Sequence, residues 1–491
     1  MQVLSFLWHR LTALASTVLL LAALFAVFVA WRMVTAGQED DAARVAAKGE
    51  YLQRISDIGV QVESPPNIVF FLYDDLGYGD LGLGARNSAM IDTPNIDALA
   101  AGGVTLADFH SPAPVCTPSR AAYLTGRLAP RAGLPDVVFP TGSIEALLFG
   151  TLAAPGRNTR LPAEEITLAD LLRAAGYSTG MVGKWHLGDR SPSLPNDMGF
   201  DSYFGALYSN DMEPFALYAD RDIAVPAPAD QRYLTERYTE AATRFIVDNA
   251  GGPFFLYFAH NFPHDPLHVR EERLGRSDAG LFGDVIEEID DSVGAVVAAL
   301  EATGVLDNTL IVITSDNGPW FLGDAGAQRG RKGNTFEGGM RVPFIAHWPD
   351  AIPPGRTEQA MGMGTDLLPT VLDILGLPAP EDRLLDGRSI LAVLTRGGPT
   401  PHDFLYYYDG ETLFAVRDQR FKYRGAAGVF YSTDQMPAGG AVPQKEWLFD
   451  LDGDPRESYD TSARYPQQLA RLRSAFEDRK REMAENPRGW R

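Results

Sequence analysis

The chain has 491 residues, with 43 Lys+Arg against 64 Asp+Glu, a formal charge of −21. At 45% hydrophobic and 22% charged residues it is neither fibrous nor disordered, and its length allows several domains around a large core. The acidic balance argues against nucleic acid as a partner, because phosphate neutralisation needs clustered Lys and Arg, and the single cysteine excludes an intrachain disulfide or a Cys-built zinc site.

In chain order, Leu11 to Ala30 is a run of 20 residues without charge, between Arg10 and Arg32. That length spans a bilayer as a helix. Val34-Thr35-Ala36 also offers small residues for cleavage of a signal peptide, so residues 1–36 read as a signal anchor or a signal peptide. Either reading exports the rest, to a periplasmic or extracellular location. Residues 37–65 are polar, end in prolines, and read as a linker.

Five nearly continuous apolar runs follow: Asn67–Tyr73, Tyr177–Gly183, Phe254–Ala259, Leu310–Ser315 and Val342–Trp348. Such runs fit strands buried on both faces. Helical patterns fall around Asn95–Ala101, Thr167–Ala175, Tyr233–Asn249, Val285–Ala302 and Asp366–Leu375, with Thr167 and Asp170 placed as a cap. Strands alternating with helices predict an α/β fold, a mostly parallel sheet covered by helices, over residues 66–385. Short aromatic runs at Phe404–Tyr408, Leu413–Val416, Phe421–Tyr423 and Trp447–Asp450 predict a small antiparallel sheet in 386–491, closed by a charged helix over Arg464–Glu485.

In open α/β sheets, ligands bind beyond the carboxyl ends of the strands. Here the first run ends in Asp74-Asp75, the second in Lys184-Trp185-His186, the third leads to His260 and His264, and the fourth ends in Asp316-Asn317-Gly318. An acidic pair after a strand is commonly a turn, and a lone His is commonly structural. Four such clusters at four strand ends point instead to one rim. Asp74, Asp75, Asp316 and Asn317 offer only oxygen ligands, which suits a hard dication such as Ca²⁺ or Mg²⁺. Lys184, His186, His264 and Lys332 add positive charge and donors, a setting for a tetrahedral oxyanion.

Cys116 opens the segment Cys116-Thr117-Pro118-Ser119-Arg120, followed by Leu124-Thr125-Gly126-Arg127. A free Cys is most often a buried small hydrophobe. This one stands in a Pro-punctuated loop running into a helix start, where the dipole lowers a thiol pKa. The Cys-x-Pro-x-Arg segment, together with Gly183-Lys184-Trp185-His186-Leu187-Gly188, closely resembles the two signatures of the type I sulfatases, nearest the arylsulfatase A and N-acetylgalactosamine-6-sulfatase branch. The likeness runs from about Asn67 to Asp450.

The resemblance implies an alkaline-phosphatase-like fold and hydrolysis of a small-molecule or glycan sulfate ester. It implies that a maturation enzyme converts Cys116 to formylglycine, whose hydrate attacks sulfur with one hydroxyl and expels sulfate with the other. Asp74, Asp75, Asp316 and Asn317 match the family's calcium ligands, with position 116 beside them and Mg²⁺ as the alternative ion. Arg120 would hold the hydrate, Lys184 and Lys332 the sulfate oxygens. His186 would assist sulfate elimination, and His264 would protonate the leaving alcohol. Ser209, in Tyr208-Ser209-Asn210-Asp211, matches a substrate-side serine; His260 and His268 are expected to be structural. Two readings compete: a formylglycine-dependent phosphonate or phosphate ester hydrolase of the same superfamily, and a catalytically dead, membrane-tethered binding protein. The two-metal phosphatases of that superfamily often place a His where this chain has Asn317, and a dead protein has no need of the intact cysteine segment.

Overall fold

The computed structural model describes residues 2–35, 40–82, 90–148, 158–425 and 446–491. Ala36 of the expected cleavage site, and residues 149–157, lie outside the described residues. Sixteen strands are present among them: β1 (Asn67–Tyr73), β2 (Val104–Leu106), β3 (Phe109–His110), β4 (Ser178–Gly183), β5 (Ser202–Gly205), β6 (Leu217–Ala219), β7 (Asp222–Val225), β8 (Phe254–Ala259), β9 (Thr309–Ser315), β10 (Phe344–His347), β11 (Arg356–Glu358), β12 (Gly362–Met363), β13 (Leu405–Asp409), β14 (Thr412–Arg417), β15 (Phe421–Arg424) and β16 (Trp447–Asp450). Ten of them form one sheet in the order β11-β2-β10-β9-β1-β8-β4-β5-β6-β7. The centre, β9-β1-β8-β4-β5, is parallel, while β10 joins β9 antiparallel and β6 and β7 finish the other edge antiparallel. The sheet is therefore mixed but mostly parallel, as expected.

Among the described residues the α-helices are α1 (Gln2–Thr35), α2 (Ala42–Ile58), α3 (Pro94–Ala101), α4 (Cys116–Thr125), α5 (Ala129–Ala132), α6 (Leu168–Ala174), α7 (Leu234–Asn249), α8 (Gly280–Ala302), α9 (Glu337–Met340), α10 (Leu367–Leu375), α11 (Leu391–Arg396) and α12 (Pro466–Glu485). Alternate residues of each central strand feed two cores. Ile68, Phe70 and Leu72 pack with Leu124, Leu171 and Val371, whereas Val69, Phe71 and Tyr73 pack with Tyr238, Ile289 and Val293. Period-two side chains buried on both faces are why these strands read as unbroken apolar runs. The small sheet β13-β14-β15-β16 is antiparallel and packs Tyr407, Val416 and Leu448 against Leu472 and Phe476 of α12.

Residues 37–65 depart from the expected linker. They contain α2, capped by Asp41, with Tyr51 and Ile55 buried in the main core. Lys48 pairs with Asp170 at 2.7 Å and donates to the Glu165 carbonyl, and Arg160 grips Asp40 through both Nη atoms. One stripe of apolar side chains on a polar helix leaves little hydrophobic signal in sequence, yet it suffices to dock the helix. Before it, α1 carries a stretch, Arg10–Val29, long and apolar enough to cross a membrane and wholly exposed to its surroundings.

Candidate active site

The four polar clusters do meet at one rim, because β1 lies between β9 and β8, and β4 lies beyond β8. Asp74 and Asp75 follow β1, Asp316 and Asn317 follow β9, Lys184 and His186 follow β4, and His264 lies five residues beyond β8. Two backbone features aim them. Asp75 and His186 both adopt positive φ, +69° and +60°, which costs a non-glycine residue energy and turns its side chain sharply off the strand. At Gly183 a Cβ would lie 1.9 Å from the Ala259 carbonyl, so only glycine lets β4 approach β8 just before Lys184.

Cys116 is the first residue of α4, and Arg120 lies one turn on, on the same face. Both are buried, with Arg120 wholly inaccessible. Arg120 Nε donates to Asp316 Oδ2 at 2.9 Å and Nη1 donates to the Lys184 carbonyl at 2.8 Å. Lys184 Nζ donates to Asp74 Oδ2, and Lys332 Nζ meets both oxygens of Asp75 at 2.8 and 2.9 Å. Asn317 Nδ2 donates to Asp75 Oδ1 at 2.6 Å, and the Asp75 amide reaches Asp316 Oδ1. The loop bearing Lys332 is tied to both neighbours: its amide donates to the Pro319 carbonyl and the next amide, of Gly333, to Pro114.

Buried oxygens are left over. Asp74 Oδ1, Asn317 Oδ1 and Ser209 Oγ are inaccessible and have no hydrogen-bond partner, as have Arg120 Nη2 and His186 Nδ1. Orphaned buried acceptors are costly, and the spare lone pairs of Asp74 and Asn317, gathered with Asp75 and Asp316, fit a divalent cation. Charge agrees with this. Lys184 and the other nearby cations hold Asp74 well below the usual carboxylate range, while burial and Asp74 itself push Asp316 up to about 7. The pair thus cannot readily carry two charges without a further positive partner. Asp74, Asp75 and His264 also bring ligand-type atoms close enough together to hold an ion.

The two histidines are set differently. His186 Nε2 lies 3.0 Å from the Val138 carbonyl, which can only accept, so Nε2 carries the proton and Nδ1 keeps a free lone pair. Burial and the positive charges of Lys184 and Arg120 keep this ring well below the usual imidazole range, hence neutral. His264 Nδ1 lies 2.6 Å from the Asp265 carbonyl, turning Nε2 toward Asp75 Oδ2 at 3.8 Å. Burial and Lys332 lower its pKa. His260 is a neutral ring buried among Tyr73, Tyr238, Phe258 and Phe262, its Nδ1 accepting from the Phe262 amide. His268 is only partly buried and feels Asp230, Arg232 and Asp265 rather than the charges of the rim.

One expectation is corrected. The helix start does not lower the Cys116 thiol; burial outweighs Lys184 and Lys332 and pushes it up. An unmodified thiol here stays protonated. The sequence reading also passed over Thr117 and Val138. Thr117 Oγ1 donates to the His186 carbonyl, and Val138, whose amide meets that hydroxyl, offers the carbonyl that sets the His186 tautomer. A carbonyl carries no side-chain signal, and Thr117 stood unread inside the cysteine segment.

Comparison with known proteins converges on one family. The family description "Sulfatase" matches residues 66–377, and "N-sulphoglucosamine sulphohydrolase, C-terminal" matches residues 331–482. Arylsulfatase A of Bos taurus is 37% identical over 445 residues, covering 82% of this chain and 84% of the relative. N-acetylgalactosamine-6-sulfatase of Mus musculus is 38% identical over 389 residues, covering 73% and 71%. The crystal structure of the PsFucS1 sulfatase from Pseudoalteromonas sp. superposes with a TM-score of 0.77 at 26% identity, over 91% of this chain and 96% of that one.

Proposed function

The chain belongs to the sulfatase family, and on that premise we propose that it hydrolyses a small-molecule or glycan sulfate ester to an alcohol and sulfate, with Cys116 matured to formylglycine and one divalent cation, Ca²⁺ before Mg²⁺, at Asp74, Asp75, Asp316 and Asn317. The observation that carries this reading is the set of orphaned buried atoms, Asp74 Oδ1, Asn317 Oδ1, Arg120 Nη2, His186 Nδ1 and Ser209 Oγ. When matured, position 116 supplies a geminal diol as nucleophile; when bound, the cation supplies positive charge to the sulfate oxygens.

The chain's own residues do the rest. Arg120, locked by Asp316 and the Lys184 carbonyl, keeps Nη2 free to bond an oxygen on position 116. Lys184 and Lys332 exchange their carboxylate partners for sulfate oxygens, so the monoanionic ester meets cations already in place. His186 Nδ1, held as a lone pair by the Val138 carbonyl, takes a proton from the hydrate. His264, protonated on both nitrogens with Nδ1–H held by the Asp265 carbonyl, delivers its Nε2 proton to the leaving alcohol oxygen and is left neutral, and Ser209 Oγ bonds the substrate beside it. A formylglycine-generating enzyme is the maturation partner, and α1 exports the chain and holds it at a membrane where it is not cleaved. Asn317, where two-metal phosphatases of the superfamily often place a metal-binding His, favours a single cation, and the likeness to sulfatases favours sulfate over phosphonate.

The test joins two measurements on one preparation. Mass spectrometry of the peptide around Cys116 should find an aldehyde in place of the thiol, and the same enzyme should turn over an aryl sulfate faster than the matching aryl phosphonate. Full activity with an unmodified thiol, or a preference for the phosphonate, would overturn the proposal.

A further inference from the structure

His264 stands in Pro263-His264-Asp265-Pro266. Proline has no amide hydrogen, so this turn has few donors with which to bond its own carbonyls. Its one local bond runs from His264 Nδ1 to the Asp265 carbonyl, and Asp265 itself is exposed. Two other carbonyls of the turn are met from outside by a single side chain. Asn210 Nδ2 lies 2.9 Å from the Pro266 carbonyl and 3.4 Å from the His264 carbonyl.

Asn210 is 2% exposed and is itself held. Gln231 Nε2 donates to its carbonyl at 2.8 Å, and Gln231 Oε1 lies 3.2 Å from Asn210 Nδ2. Three acceptors around one nitrogen fix the orientation of the amide, because the flipped amide would set an oxygen against carbonyl oxygens. Asn210 also follows Ser209, whose buried Oγ is unpartnered. One dipeptide therefore presents the substrate-side hydroxyl and grips the turn of the proton donor.

We propose that Asn210 is a positioning residue for His264: its buried amide clamps the His264–Pro266 turn so that Nε2 of the imidazole faces the oxygen leaving sulfur. This rests on the reading of His264 as the general acid. Asn210 touches no reacting atom. Its effect reaches chemistry only through the aim of the ring, and a displacement of about 1 Å in a catalytic group can cost on the order of 10²-fold in rate.

The experiment measures kcat and KM for an alkyl sulfate and a nitrophenyl sulfate with the matured enzyme, as wild type, Asn210→Ala, Asn210→Asp and His264→Ala. Asn210→Asp keeps the side chain's size while removing both donors, so it separates the clamp from space filling. Both Asn210 variants should lose about 10- to 100-fold in kcat on the alkyl sulfate and less than about 3-fold on the nitrophenyl sulfate, with KM little changed, because only the poor leaving group needs the proton. Equal losses on both substrates, or an Asn210→Asp variant with wild-type rates, would overturn the proposal. His264→Ala separates the failures: if it too loses equally on both substrates, the general-acid reading falls; if it alone discriminates, only the clamp does.

Discussion

Lys332 and Glu337 stand five residues apart, yet they belong to two buried charge clusters of opposite character. Around Glu337 every charge meets an opposite charge, although Glu457 Oε1 touches Lys422 without a well-formed hydrogen bond. Arg417 reaches Asp108 and Glu337 at 2.8 and 2.9 Å, Lys422 reaches Glu337 and Glu457 at 2.9 and 3.1 Å, and His110 lies between Asp108 and the Tyr407 hydroxyl. Asp108 is drawn down to about 2 by Arg417, against its burial. Around Lys332 the cluster is left open, with lone pairs and a guanidinium nitrogen unmet. Composition does not separate the two, since each mixes Asp, Lys or Arg, and His. What separates them is satisfaction: the closed cluster fastens β14 and β15 to α9, and the open one has bonds left for something that arrives.

Substitutions should split along that line. The largest effect belongs to Cys116→Ala, which should lower turnover by at least about 10⁴-fold while the thermal midpoint stays within a few degrees of wild type, measured by activity and circular dichroism on one sample. Next is His264→Ala, which should lose on the order of 10²–10⁴-fold on an alkyl sulfate and far less on a nitrophenyl sulfate. In the closed cluster the pattern should invert. Arg417→Met strands Asp108 and leaves Glu337 with Lys422 alone, and should cost about 3–5 kcal/mol in denaturant unfolding while the molecules still folded keep near-normal kcat. A kcat loss as large as that of His264→Ala would erase the distinction between the clusters.

The smallest effect sharpens the comparison by pH. Asp316 is raised to about 7, above its ordinary carboxylate value. With the cation chelated, its charge destabilises the fold as pH rises through that range, and below it a bound proton relieves Asp74. Chelation should therefore lower the thermal midpoint by more at pH 7.5 than at pH 5, by a few degrees. The same shift at both values would mean that Asp316 does not feel the cation.

Legibility in sequence followed the physics of burial. The central strands were readable because both faces are apolar, and Trp447–Asp450 was found to the residue. The edge strands Leu217–Ala219 and Asp222–Val225 were not, since most of their side chains face solvent and leave no apolar run. Val342–Trp348 was read as a strand, but sequence gave no direction; it pairs antiparallel with β9 over Phe344–His347. The side chains gathered at the rim were legible because Asp, Lys and His at strand ends are chemically conspicuous. Their supports were not: the Val138 and Lys184 carbonyls have no identity in a sequence, and Asn210 acts across 54 residues on the His264 carbonyl.

The docking of α2 relocates where the folded body starts. A shortened chain beginning at Pro66 would bare the seat of Tyr51 and Ile55, leave Asp170 without Lys48, and free Arg160 from Asp40. Arg160 also holds Ser193, whose carbonyl receives the indole of Trp185 between Lys184 and His186. Trimming for solubility should thus stop ahead of Asp40, and a cut at Pro66 would loosen the loop that carries two of the rim's groups. Only four residues separate α1 from Asp40, a reach of at most about 18 Å in chain between an apolar helix and an enzyme's shoulder. The folded body therefore stays close to any surface that holds α1, whatever the length of chain that follows it.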